Sequence, residues 1–143
     1  MYFIINGPNL NLTGLREPEI YGTQTFEAYL DTLREVFPEI ALEYFQSNHE
    51  GELIDHIQKY GYDQRTEGMI LNPGALAHYS YAIADAVRSV PVPVLEVHIS
   101  NIFAREEFRS RSVTAAACAG VVSGFGLRGY EVALSGLMKS VRK

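Results

Sequence analysis

Three short apolar runs stop abruptly at polar or glycine-rich residues, and this pattern narrows the choice of fold more than any other feature of the chain. Tyr2 to Ile5 runs into Asn6-Gly7-Pro8-Asn9, Gly68 to Leu71 into Asn72-Pro73-Gly74, and Val92 to Val97 into His98. Each reads as a strand whose C-terminal end opens into a loop. Ile40 to Gln46, with Leu42, Tyr44 and Gln46 on one face, reads as a fourth strand, and Gly120 to Phe125 as a fifth. Between the strands, apolar residues recur at spacings of three and four. Phe26, Tyr29, Leu30, Leu33 and Phe37 mark a helix over Thr25 to Phe37, stopped by Pro38. Leu53, Ile54 and Ile57 mark a second over Glu50 to Tyr60, ended by Gly61; a third covers Ala77 to Val90, ended by Pro91 and Pro93, and a terminal one covers Tyr130 to Val141. Strands alternating with helices build βαβ units, so the expected class is α/β with a five-stranded parallel sheet covered on both faces. Ligands bind such sheets beyond the carboxyl ends of the strands, where the strand order reverses. The three polar strand ends are therefore the expected site. The irregular stretch Gly7 to Gln24 exceeds an ordinary strand-to-helix connection and reads as a lid or active-site loop.

At 143 residues the chain is expected to form one domain, residues 1–143, around one sizeable core. A composition of 47% hydrophobic and 20% charged residues fits a soluble globular protein. No window approaches the roughly 18 apolar residues of a membrane span, and Met1 to Asn6 carries no basic leader or cleavage pattern, so the expected location is cytoplasmic, with no membrane partner. The formal charge of −5 argues against a nucleic-acid surface. Cys118 is the only cysteine, which rules out an internal disulfide; in its run of alanines it reads as a small buried filler. Arg105, Arg109 and Arg111 fall within seven residues, and Arg16 sits in the long loop. Such a cluster in an acidic protein either serves an anionic ligand or is a solvated face.

Asn6-Gly7-Pro8-Asn9-Leu10-Asn11 lacks both dinucleotide glycine spacing and a P-loop lysine. Its amides, Asn9 and Asn11, are suited to holding an oxyanion directly or through water, although Asn-Gly-Pro is also a plain turn. Glu96 and His98 share one side of a strand, because side chains alternate with period two. A carboxylate there can orient and charge an imidazole that serves as a general acid; the alternative is a structural, hydrogen-bonded histidine. His78, after Asn72-Pro73-Gly74, is placed to meet His98 across adjacent strand ends. No H-x-x-x-H or C-x-x-C spacing supports a metal site, and Cys118 stands far from both histidines in the pattern. His49 and His56, on or beside the second helix, read as surface residues. Tyr21 lies five residues after Arg16, and a guanidinium near a tyrosine favours the phenolate; the alternative is a loop tyrosine packing on its own lid.

Taken together, Asn-Gly-Pro-Asn-Leu-Asn-Leu at 6 to 12, Arg-Glu-Pro-Glu-Ile-Tyr-Gly at 16 to 22, Gln-Ser-Asn-His-Glu-Gly-Glu-Leu-Ile-Asp at 46 to 55, Asn-Pro-Gly-Ala at 72 to 75 and Glu-Val-His-Ile-Ser-Asn at 96 to 101 resemble the type II 3-dehydroquinate dehydratases. Ala104 to Arg109 and Gly124-Phe125-Gly126 with Gly129-Tyr130 continue the match, which runs from Ile4 to near the C-terminus. The resemblance implies a flavodoxin-like three-layer sandwich, a homododecamer built as a tetramer of trimers, the third step of the shikimate pathway, and no cofactor or metal. It implies that Tyr21 takes the C2 proton of 3-dehydroquinate with Arg16 assisting, that Asn9 holds a water against the enolate oxygen, and that His98, supported by Glu96, protonates the departing C1 hydroxyl. Asn72, Ile99 and Ser100 would meet the substrate carboxylate, His78 and Arg109 the ring hydroxyls, and Asp85 a neighbouring subunit's site, while Arg105 would position the lid. A Schiff-base lysine is the other known solution for this reaction; Lys59, Lys139 and Lys143 all fall at helical ends away from the strand mouths. Leu76-Ala77 stands where an aromatic and a threonine are common, and Arg111-Ser112-Val113 where His-Ser-Tyr is common. The first is expected to loosen the support of His78, the second to alter a subunit interface. Two other readings remain at this point: a flavodoxin-like binding module without turnover, though Asn6 to Asn11 offers neither a phosphate-cradling loop nor paired acids, and a hydrolase using His98 with Ser100.

Overall fold

The structure is a computed structural model that describes residues 1–139 apart from the side chain of Tyr21. Its centre is a five-stranded, all-parallel sheet, β1 (Tyr2–Asn6), β2 (Leu42–Gln46), β3 (Gly68–Asn72), β4 (Val94–His98) and β5 (Gly120–Ser123), ordered β2-β1-β3-β4-β5. This is the flavodoxin-like order, and its reversal lies between β1 and β3. The helices are α1 (Pro18–Tyr21), α2 (Phe26–Val36), α3 (Glu50–Gly61), α4 (Tyr81–Ser89) and α5 (Arg128–Met138).

Strand alternation divides the core into two layers. Tyr2, Ile4, Ile70, Leu95 and Val97 point toward α2 and α5, where they meet Phe26, Leu30, Leu33, Tyr130 and Leu134. Phe3, Ile5, Met69, Leu71 and Val94 point the other way onto α3 and α4, against Leu53, Ile57, Ile83 and Val87. Burial on both faces explains why β1, β3 and β4 read as continuous apolar runs. Glu96 and His98 share the α4 side with Val94, since they follow it at steps of two.

Helix boundaries follow their caps. Thr25 accepts a hydrogen bond from the Ala28 amide and starts α2 one residue inside the expected range. The third helix differs more: it begins at Tyr81, not Ala77, because the Ser80 hydroxyl accepts from the Ile83 amide at 3.0 Å. Of the four residues lost from it, Ala77 and His78 belong to a separate 3-10 turn, Gly74–His78, so His78 closes that turn and does not open a helix. The last helix starts at Arg128 and runs to Met138; its expected end at Val141 lies outside the described residues. Within Gly7 to Gln24 the chain makes a 3-10 turn at Leu10–Leu12 and the single turn α1. Among the described residues no helix is long and apolar enough to cross a membrane.

The β1 and β3 exits are pressed together. The Gly7 amide donates to the Asn72 carbonyl at 2.7 Å, and a Cβ on Gly7 would fall 2.6 Å from the Pro73 carbonyl oxygen. Gly74, at φ 58°, packs in turn over Pro8. Only glycine permits both approaches.

Candidate active site

One cavity, about 640 Å3 with its open mouth counted, lies over the ends of β1, β3 and β4 beside the reversal of strand order. Asn9, Arg16, Asn72, His78, His98, Ile99, Ser100, Arg105 and Arg109 all line it. Residues up to 100 positions apart in sequence thus converge on one space. Three expected residues are elsewhere. Glu96 sits behind His98, fully buried. Asp85 is exposed on α4 and ion-paired to Arg88 at 2.9 Å, away from the cavity of its own chain. The Tyr21 side chain lies outside the described residues; its backbone ends α1.

The strongest local geometry is at the end of β4, where His98 Nε2 and Glu96 Oε1 are 2.6 Å apart. A buried carboxylate costs several kcal/mol unless it is paired and its remaining lone pairs are filled. Here they are filled by groups to which the sequence reading gave no role at the site: the Ser112 hydroxyl donates to Oε1 at 2.7 Å, and the Thr114 hydroxyl donates to Oε2. Cys118 is half-buried with its sulfur 4.0 Å from Oε2, so it lies beside this cluster instead of far from it. Ser112 also accepts from the Ala115 amide, and the Val113 amide donates to the Ala77 carbonyl at 2.7 Å. Residues 111–115 therefore clasp the carboxylate from outside the sheet. A serine and a threonine two apart amid alanines were the available signal, but nothing in their spacing names their partner.

The two histidines, ring centroids 6.3 Å apart, have different surroundings. His78 Nδ1 contacts the Arg111 carbonyl at 2.8 Å, an acceptor that requires the proton on Nδ1. Burial lowers the His78 pKa below its ordinary value, with His98 and Arg109 acting the same way against that hydrogen bond. His78 is then neutral at pH 7 and offers Nε2 as an acceptor. His98 is instead held on a buried carboxylate.

Three arginines give the cavity its sign, and they are not the three that cluster in sequence. Arg111 is exposed and contributes its carbonyl, whereas Arg16 joins Arg105 and Arg109 at the wall. Glu106 accepts from Arg109 at 2.8 Å and lies 3.6 Å from Arg105, while Arg105 also reaches the Ser100 hydroxyl at 3.3 Å. Asn9 turns in the left-handed region, φ 68°, and its amide donates to Asn48 at 2.9 Å. Gln46 ties Asn48 to the Gly7 carbonyl, which gives the Gln46-Ser47-Asn48 motif a structural reason. Asn11 is exposed and absent from the cavity wall. Asn72 donates to the buried Tyr130 hydroxyl at 2.8 Å and accepts from the Gly74 amide at 3.2 Å, which fixes its rotamer; Tyr130, named in sequence only within a motif and a helix, donates onward to Asn6.

A family model described as dehydroquinase class II matches residues 1–138. A 3-dehydroquinate dehydratase from Caldicellulosiruptor saccharolyticus is 54% identical over 136 residues, 94% of this chain and 93% of that one. One from Clostridium perfringens is 52% identical over 141 residues, 97% and 96% of the two chains. Among solved structures, a type II dehydroquinase from Butyrivibrio crossotus superposes with a TM-score of 0.92 at 47% identity, covering 96% of each chain.

Proposed function

Because the chain belongs to the class II dehydroquinase family, we propose that its cavity carries out the family's hydro-lyase reaction, the dehydration of 3-dehydroquinate in the shikimate pathway, with Tyr21 as base and His98 as acid. The observation that carries this reading is the buried Glu96–His98 pair at the end of β4, opening onto a cavity walled by Asn9 and three arginines. Tyr21 as a phenolate takes the C2 proton, which is acidic because it neighbours a ketone. The electron pair moves onto the carbonyl oxygen, and the enolate is held through a water by Asn9. As the enolate collapses, the C1–O bond breaks and His98 delivers a proton, so that hydroxide leaves as water. Tyr21 then returns its proton and His98 regains one.

Asn72, Ile99 and Ser100 take the substrate carboxylate in this reading, and Arg105, which donates to the Ser100 hydroxyl, positions the lid. His78 and Arg109 take the ring hydroxyls; a neutral His78 with a free acceptor nitrogen suits a hydroxyl donor. Residues 1–143 act as one catalytic domain in the cytoplasm, assembled as a dodecamer. Among the described residues no three of His, Cys, Asp and Glu gather as a metal set, Lys59 and Lys139 lie at helix ends, and Lys143 lies outside the described residues.

Adding 3-dehydroquinate should therefore produce the ultraviolet absorbance of a conjugated enone. That rate should be unchanged after extensive chelation, and borohydride added with substrate should not inactivate the protein. Absence of the absorbance would end the reading, and sensitivity to either reagent would overturn the tyrosine–histidine mechanism.

Asp85 supplies a separate test. Its ion pair with Arg88 is an exposed i,i+3 contact worth at most a few tenths of a kcal/mol to the fold. Asp85→Ala should leave thermal stability of the subunit fold unchanged, yet raise KM by at least about 10-fold or weaken the trimer, as loss of one charge-assisted contact implies. A fully active monomer in sizing and scattering measurements would remove the residue from any neighbour's site.

A further inference from the structure

We propose that Thr114 is a positioning residue for the reaction, its hydroxyl bond to Glu96 Oε2 limiting how strongly Glu96 holds the proton on His98. This rests on the reading of His98 as the acid. The two oxygens of Glu96 are unequally used: Oε1 receives both His98 and the Ser112 hydroxyl, whereas Oε2 receives the Thr114 hydroxyl and only a distant sulfur at 4.0 Å. Thr114 and Glu96 are both fully buried, so no solvent replaces that donor. Ser112 approaches the Thr114 hydroxyl at 3.2 Å, with its own proton directed at Oε1.

The physical argument concerns a carboxylate shared among donors. Each hydroxyl that donates to it draws charge toward itself and stabilises the anion, leaving less for the imidazolium. An acid must release its proton to the departing hydroxyl, and a bare buried carboxylate would hold that proton too firmly. Two hydroxyls therefore weaken the pair to a useful strength while keeping Glu96 ionised. Other charged or titratable groups face His98 as well: His78 from the Gly74–His78 turn, and Arg16, Arg105 and Arg109 from the loops over the cavity. Cys118 lies behind Glu96. Deleting the Thr114 hydroxyl removes the donor to Oε2 while the atoms of the His98–Oε1 contact are left in place.

Thr114→Val keeps the shape and deletes the donor; Thr114→Ser keeps the donor and trims a methyl. Following the C2 proton of each of the four histidines by NMR against pH, with His98→Asn to assign the signal, reads the titration of His98 directly. Thr114→Val should move the His98 midpoint upward by about half a unit or more, and Thr114→Ser should restore it. Ser112→Ala, which strips the other oxygen of its hydroxyl, should move it in the same direction and keeps the test alive if Thr114→Val does not fold. A His98 midpoint unchanged in both hydroxyl deletions would overturn the proposal and leave the catalytic reading standing. A midpoint that rises while the alkaline limb of the kcat profile stays in place would support the coupling and remove His98 from the acid role. Movement of both together supports both.

Discussion

His98→Asn should lower turnover by about 10³-fold, inside the 10² to 10⁴ range for loss of a positioned general acid, while the protein folds and still binds product-like anions. Asparagine fits the buried strand end and keeps a polar group near Glu96 Oε1, so packing loss is not the expected cause. The decisive measurement is a partial reaction. If proton abstraction and hydroxyl departure are separate steps, the crippled enzyme should still exchange the substrate's C2 hydrogen with D2O, since the base is intact and the enolate can form and return. Glu96→Gln should show the same pattern with a smaller loss, because the imidazole keeps its place but loses its counter-charge. Retention of near-parental turnover in His98→Asn would require a different acid. Loss of exchange together with turnover would mean that the histidine serves binding or architecture and not the leaving group.

The residues of this pair were legible in sequence for a simple reason: period-two alternation on one short strand relates Glu96 to His98 locally. A different local signal, continuous apolar runs that stop at polar residues, located the ends of β1, β3 and β4, and with them the cavity. Elements failed to be legible where a single contact outweighed a periodic pattern. The apolar rhythm from Ala77 onward continues into α4, yet Ser80 caps a new helix start and the preceding turn is 3-10, which puts His78 on a tight turn that meets the Arg111 carbonyl 33 residues further along the same chain. Ser112 and Thr114 reach Glu96 across 16 and 18 residues, from a segment of small residues with neither helical nor strand rhythm. Arg111 stood in the departure expected to affect an interface; the structure gives its carbonyl and the adjoining Ser112 a place beside the two histidines. Of the arginines close in sequence, Arg105 and Arg109 reach the cavity wall and Arg111 does not, while Arg16, expected at the site from its place in the long loop, joins them there.

Tyr21→Phe should reduce turnover by at least about 10²-fold, the lower end of general-base contributions, and unlike His98→Asn it should abolish C2 exchange as well. The two variants thus divide the reaction between them. Phenylalanine keeps the ring, so assembly and binding of product-like anions should survive. A tyrosine at its reference pKa of about 10 is a poor base near neutrality, and the proposed remedy is a nearby guanidinium that favours the phenolate. Arg16 is the candidate: it lines the cavity, half-buried, five residues before Tyr21, with the one turn of α1 between them set by Pro18. Its Nε also donates to Glu17 at 3.0 Å. Arg16→Ala should therefore shift the acidic limb of the rate profile upward, so that surviving activity keeps climbing with pH beyond the point where the parent enzyme levels off. Arg16→Lys restores the charge without the planar fork and should rescue only part of the loss. If Tyr21→Phe keeps near-parental turnover, the ring alone is what the loop needs, and the base must be sought among the other groups on the cavity wall.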